Sequence, residues 1–235
     1  MPLRHLRENS AGLSTAQIAD ACIRLNVPLH IAPPGIRPVF PCALVTGRAA
    51  PARIYGSVDI ILEAIESANE GDVLVLDNQG RPDEGCLGDL TAIEARAAGM
   101  AAIVAWGCHR DTVELIHIGL PIFSYGTYPK GPLRDDARDP EALSRVSFGS
   151  FTVTREDVVF ADDDGVMFVP INRLQLVLDT ARTIFETERA QAEAVLGGLT
   201  LREQLRFRDY LTKREEDASY TFRKHLRALG GAIEE

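Results

Sequence analysis

Apolar positions in the centre of this chain follow two alternating rhythms. Val73–Asp77 (VLVLD) and Met100–Trp106 (MAAIVAW) are short, nearly continuous apolar runs, the pattern of strands buried on both faces. Pro121–Ser124 reads as a third strand of the same kind. Helical spacing lies between and beside them. Ser57–Ser67 (SVDIILEAIES) predicts a helix capped by Ser57, Leu90–Ala98 a helix stopped by Gly99, and Thr112–Ile118 a shorter one. Strand, helix, strand, helix, strand with right-handed crossovers makes the strands parallel neighbours. The chain is therefore α/β at its centre. In such sheets ligands sit outside the carboxyl ends of the strands. The polar segments 78–89 and 107–111 leave those ends, so a site is expected there.

The flanks are less regular. Ser14 or Thr15 caps an early helix with an apolar stripe Ile18, Ala19, Cys22, Ile23 and Leu25, which stops near Asn26–Pro28. Leu29–Pro41 carries Pro33, Pro34, Pro38 and Pro41 and reads as a loop or edge segment, because proline cannot donate to a ladder. A strand is expected over Ala43–Ala50, and Tyr125–Pro140 reads as loop. Phe151–Val153, Val158–Phe160 and Val166–Val169 predict strands, the last two joined by a tight ADDDG turn. A long helix runs from Asn172 to about Leu196 and ends at Gly197-Gly198. Thr200 caps a further helical piece, and YTFRKHLRALGGAIEE predicts an amphipathic helix. Trp106, His30 and His117 are expected in the core and His225 at the surface.

Size and charge narrow the function. The 235 residues suggest one core domain. The net charge is −9, which argues against a nucleic-acid partner and against an anionic membrane surface. No apolar run approaches the ~20 residues of a transmembrane helix, and the N-terminal residues lack the apolar stretch of a signal peptide. The four cysteines, Cys22, Cys42, Cys86 and Cys108, are scattered and read as free thiols. The expected compartment is the cytoplasm.

Two short segments carry the chemistry. In Gly85-Cys86-Leu87-Gly88-Asp89, successive backbone N–H groups at a helix start make a pocket suited to a carboxylate. Arg110-Asp111 opens the next helix. Arginine is a bidentate partner for a carboxylate or a polarised oxygen, and Asp111 is a hard oxygen ligand for Mg²⁺ or Mn²⁺. Glu114 follows on the same helix face. The whole reads G-x-x-x-D, twenty residues, R-D-x-x-E.

That pattern resembles the RraA-like family, which includes class II pyruvate aldolases acting on 4-hydroxy-4-methyl-2-oxoglutarate. The resemblance runs from about Leu13 to Leu205 and includes LSTAQIADA and ADDDGVMFVP. It implies a layered fold with a central mixed sheet flanked by helices. The aldolase domain would span 1–198, and 199–235 would form a helical arm packed on the core or on a neighbouring subunit. It implies a divalent-metal-dependent lyase that releases pyruvate from a 4-hydroxy-2-oxo acid, with oxaloacetate decarboxylation as a side activity. Asp111 would be the protein ligand of Mg²⁺ or Mn²⁺, and Arg110 would stabilise the enolate. The amides of Gly85, Cys86, Leu87 and Gly88 would hold the carboxylate. Asp89 would orient a water that acts as base, and Glu114 would support the metal shell. A glutamate from an adjacent subunit is expected, with Glu186 the choice and Glu188 close behind. A homotrimer or dimer of trimers follows from the resemblance.

His109 is expected to touch the distal part of the substrate or to hydrogen-bond backbone, and Cys108 to pack. The three lysines, Lys130, Lys213 and Lys224, lie outside the strand–helix core, which fits a metal route better than an imine route. The alternatives are a non-enzymatic protein-binding regulator, as elsewhere in the family, or a lyase on another 2-oxo acid. In an acidic chain, capture of a dianionic substrate by Arg110, the amide pocket and the cation should itself depend on the ion.

Overall fold

The computed structural model describes residues 3–42 and 44–229. The chain opens with helices α1 (Leu3–Ser10) and α2 (Thr15–Arg24), then short strands β1 (His30–Ile31) and β2 (Arg37–Pro38). The central run is β3 (Val45–Arg53), α3 (Asp59–Glu66), β4 (Val73–Leu87), α4 (Asp89–Ala97), β5 (Ala102–His109), α5 (Thr112–Ile118) and β6 (Ile122–Ser124). Strands β7 (Arg145–Phe148), β8 (Phe151–Thr154), β9 (Asp157–Asp162) and β10 (Gly165–Pro170) follow. The long helix α6 (Leu174–Leu196) leads to α7 (Leu201–Gln204), α8 (Phe207–Glu216) and α9 (Phe222–Leu229).

Eight strands form one sheet in the order β1-β10-β9-β3-β4-β5-β6-β2. The β3-β4, β4-β5 and β5-β6 pairs are parallel, as the alternating pattern predicts, and the other neighbours are antiparallel. The sheet is thus mixed with a parallel centre. β1 and β2 are its two edges, yet only residues 32–36 join them. That stretch spans about 20 Å at most, so the sheet must curl until its edges approach. Pro38 sits on an edge, where its missing N–H costs the ladder nothing.

Alternation assigns each face. Val73 and Val75 of β4, Val104 of β5, Val159 and Ala161 of β9 and Phe168 of β10 fill the inside of the curl. Leu74, Leu76 and Ile103 face outward beneath α3 and α4, with Ile60, Ala64 and Ala92. Val158, Phe160, Met167 and Val169 face outward beneath α2 and α6. The β7–β8 hairpin has its own two-stranded sheet and turns its Val146, Phe148 and Val153 into the interior.

Several local readings are corrected. The segment 78–87 is not a free loop but the continuation of β4, which stays paired to β5 through three register shifts. The helix at 59 is not capped by Ser57: Val58 is its N-cap and makes no side-chain cap bond. The early helix does use Ser14, in a capping box with Gln17. Helix α1 and strand β7 carry no signal in the reading above, because each is short and borders charged residues. His117 is exposed, since α5 buries Leu115 and position 117 faces away from it. His225 is buried, with Nε2 2.9 Å from the Leu205 carbonyl and its ring packed among Tyr210, Tyr220 and Phe222. This aromatic cluster holds α8 and α9 together. The proposed strand residue Ala43 and the last six residues of the C-terminal helix prediction lie outside the described residues.

Candidate active site

The sequence-predicted segments meet at the carboxyl ends of β4 and β5. The Leu87 carbonyl accepts the Arg110 N–H at 3.0 Å, which sets the two loops side by side. Asp111 has φ 60° and ψ 41°, a left-handed conformation uncommon outside glycine. It is the N-cap of α5 but makes no side-chain cap bond to its own helix. Its carboxylate reaches across instead: Oδ2 accepts the Asp89 N–H at 3.3 Å and lies 3.4 Å from Arg110 Nε. Backbone strain of this kind persists where the surroundings over-determine it.

Gly88 makes that crossing possible. A Cβ there would lie 2.3 Å from Asp111 Oδ2 and 3.2 Å from Arg110 Nε. Its backbone, φ −149° and ψ −165°, is one any residue adopts. Gly88→Ala should therefore fold with little change in melting temperature, since the flexible Asp111 carboxylate can move aside. Turnover that uses the Asp111 carboxylate should fall at least ~10-fold, because a misplacement of about 1 Å can cost more than that. A melt and a turnover assay on the same preparation check both halves.

Arg110 borders a cleft of about 410 Å³, within the range of small-molecule sites. Ile54, Ser57, Val58, Leu87, Thr91 and Pro132 line it, with the Gly85–Gly88 backbone and Gly131. The amides of the 85–90 turn are not a row of free donors. Gly85 N–H donates to the Lys130 carbonyl at 2.8 Å, Gly88 N–H to Thr91 Oγ1 at 3.2 Å, and Leu90 N–H to Asp89 Oδ1 at 2.7 Å. A bound carboxylate at Gly88 or Asp89 would replace side-chain oxygens already placed there.

The strap 128–136 was read only as loop, yet it closes one side of the site. Tyr128 N–H donates to the His109 carbonyl at 2.8 Å, and a Cβ on Gly131 would lie 2.9 Å from Arg110 Nη1. Arg134 anchors the strap. Its Nε donates to Glu84 at 2.9 Å and its Nη2 to Asn78 Oδ1 at 2.7 Å and the Ile54 carbonyl at 3.1 Å, and it pairs with Asp136. Asn78 and Glu84 are buried and serve this anchor. No local pattern announces it, since its partners are 50 and 56 residues away in sequence.

His109 does not reach the cleft. Its ring is 4% exposed, with Nδ1 2.6 Å from Ser124 Oγ and Nε2 3.0 Å from Thr112 Oγ1. Burial pushes its pKa below the ordinary 6.5, and Asp111 opposes that more weakly. The sign for stability follows. Below pH ~6.5 the unfolded ring takes a proton that the buried ring resists, so stability falls as pH drops from 6.5 toward the native value. His109→Gln should flatten that slope in melts between pH 7.5 and 5. Burial also pushes the Cys86 thiol up to about 12 and raises Cys108, so neither is an activated nucleophile.

Glu114 is exposed on α5. Glu186 and Glu188 lie on α6, whose buried face packs with α2 and the β9–β10 side, and Glu188 accepts from Gln17 Nε2 at 2.8 Å. Within one chain neither joins the cleft. Among the described residues no group of three or more His, Cys, Asp or Glu comes together as a ready metal site. A hard divalent cation nevertheless fits the donors. Asp111 presents a partly exposed carboxylate that rests on the Asp89 N–H, in space that a side chain at Gly88 would fill, and Mg²⁺ commonly takes one or two carboxylates and completes its shell with water and substrate.

The chain is thus an α/β protein with an arginine and two aspartates gathered at the carboxyl ends of its parallel strands. The profile of the RraA-like family, Aldolase/RraA, matches residues 15–168, and the chain belongs to that family. A protein of Aromatoleum aromaticum named "Putative 4-hydroxy-4-methyl-2-oxoglutarate aldolase" is 27% identical over 151 residues, covering 64% of this chain and 94% of its own. A Pseudomonas syringae protein of uncharacterized function superposes with a TM-score of 0.75 at 26% identity, covering 85% of this chain and 96% of its own. Streptomyces coelicolor RraAS2, described as an unusual member of the RNase ES inhibitor RraA family, gives a TM-score of 0.68 at 28% identity, covering 79% and 94%. No helix among the described residues is long and apolar enough to cross a membrane.

Proposed function

We propose that this chain is a divalent-metal-dependent carbon–carbon lyase that cleaves a 4-hydroxy-2-oxo acid by retro-aldol reaction to pyruvate, with oxaloacetate decarboxylation as a side activity. The observation that carries the reading is the Arg110–Asp111 pair held over the Gly85–Asp89 turn, at the mouth of a cleft of substrate size. The names of the relatives support the aldolase class.

Mg²⁺ or Mn²⁺, when bound, supplies Lewis-acid polarisation of the keto oxygen. Asp111 would hold the ion, with Asp89 orienting the water next to it. Arg110 places a fixed positive charge where the C2 oxygen becomes negative, and such preorganised charge acts most strongly at that stage. Asp89 would take the C4 hydroxyl proton through a water. The C3–C4 bond then breaks, its electron pair forms the enolate of pyruvate, and protonation at C3 completes the product. Oxaloacetate loses CO₂ through the same enolate.

Assembly into a trimer or a dimer of trimers is part of the proposal. Leu90 and Ile93 on α4 and Val113 and Ile116 on α5 are exposed on neighbouring helices beside the site, a patch of the kind that interfaces cover. Such an interface would let Glu186 of a second copy approach Arg110, and it would also place the C-terminal arm near a neighbour. Light scattering tests this, and a monomer would remove the cross-subunit glutamate. The test of the activity is a coupled pyruvate assay with oxaloacetate and 4-hydroxy-2-oxo acids, with and without chelator. No metal-dependent turnover of any of them would leave the protein-binding regulator as the better reading.

A further inference from the structure

The cleft beyond Arg110 points to the substrate class. We infer that the distal end of the substrate is neutral, so that the preferred ligand is a 2-oxo acid with a single carboxylate. This rests on the lyase reading and narrows it, in contrast to the dicarboxylate in the relatives' names and to the dianion anticipated from the sequence.

The walls that a distal group would meet are Ile54, Val58, Leu87 and Pro132, with Ser57 and Thr91 as neutral polar groups. Arg110 is the one charged side chain among the described lining residues, and it serves the reacting end. The guanidiniums that follow Pro132 along the chain are committed. Arg134 is paired with Glu84 and Asp136, and Arg138 with Glu63. A second carboxylate entering the cleft would lose water without gaining a cation, and burying an unpaired charge is unfavourable. A short alkyl or hydroxyalkyl tail instead fits apolar walls. The overall charge of −9 adds to the bias. Lys130, exposed on the strap, is the remaining nearby cation with which a distal carboxylate could pair.

The test is a binding comparison that needs no turnover. 2-Oxopentanoate and 2-oxoglutarate have the same chain length, differ in one terminal carboxylate, and lack the 4-hydroxyl needed for cleavage. Each is titrated by calorimetry into the full chain with Mg²⁺ present. The expected result is at least tenfold tighter binding of 2-oxopentanoate. Val58→Arg, at an exposed wall position, should shift the ratio at least tenfold toward 2-oxoglutarate. Equal or tighter binding of 2-oxoglutarate by the unaltered chain overturns the inference. So does binding of neither ligand, or a Lys130→Ala variant that selectively loses 2-oxoglutarate. Oxaloacetate turnover measured on the same protein separates the two failures. If it persists, the lyase reading stands and only the neutral tail is lost. If neither oxaloacetate nor any 4-hydroxy-2-oxo acid is turned over, the lyase reading itself falls.

Discussion

Arg110→Ala and Asp111→Ala should each lower the metal-dependent pyruvate release proposed for this chain by roughly 100- to 1,000-fold, the scale on which a preorganised charge facing a developing oxyanion acts. The two losses differ in kind. In the proposed mechanism Arg110 faces the reacting oxygen, so its removal should fall mainly on kcat, because an interaction made in the transition state is what accelerates the step. Arg110→Lys should recover little, since a point ammonium on a flexible stem does not reproduce the guanidinium fork. Asp111→Ala should in addition abolish the response to added Mg²⁺ or Mn²⁺. Both side chains are partly exposed, at 48% and 33%, and neither supports the core, so melting temperatures should stay within a few degrees of the unaltered chain. Steady-state kinetics at several metal concentrations, beside a melt, resolve the two effects. A variant that keeps full activity would remove its residue from the site.

Asp77→Ala should be the most damaging single change to the fold near the site. Asp77 is fully buried at the point where β4 leaves regular pairing. It accepts from Arg53 Nε at 3.1 Å, from the Gln79 N–H at 2.9 Å and from the Ser147 N–H at 3.1 Å. Truncation strands two backbone donors and a guanidinium that has only Asp139 left as an ionic partner. Breaking one side of a buried charged network costs about 3–5 kcal/mol. In a chain of this length that is a drop of about 10 °C in Tm. Asp77→Asn keeps an acceptor and should lose less. Gln79 has φ 58°, so the bond from its N–H also fixes the first bulge of β4, and activity should fall with stability in the alanine variant. Thermal melts rank the two substitutions, and equal melting temperatures for all three proteins would show the network to be dispensable.

Much of the parallel centre was legible because its signals are local. VLVLD and MAAIVAW declared strands covered on both faces, and the intervening 3.6-residue spacing declared the crossovers. Ser14 or Thr15, and Thr200, stood out as caps by residue type, and the structure uses Ser14 and Thr200. The pairing of the 85–89 turn with Arg110–Asp111 was legible from a fixed spacing together with the family resemblance. The continuation of β4 through 78–87 was not legible, because glycine and charge in that stretch mask a strand whose pairing survives only by bulging. Nor was the role of Arg134, whose partners come from β4 and from the end of β3. His109 shows the limit at one residue: the motif places it beside Arg110, but the strand's alternation turns its ring inward to Ser124 and Thr112.

By itself the sequence determined the α/β class, the parallel βαβ centre, the end of the sheet where chemistry belongs, and the arginine and aspartates placed there. These follow from periodicity, caps and short motifs, all of which act within a few residues. Only the tertiary structure decided that the sheet curls on itself, that Gly131 and the strap close over Arg110, that Asp111 crosses to the Asp89 N–H, and that the distal wall is apolar. Each depends on strand register and on contacts between distant segments. A one-residue shift in register would turn every side chain of β4 or β5 to the opposite face.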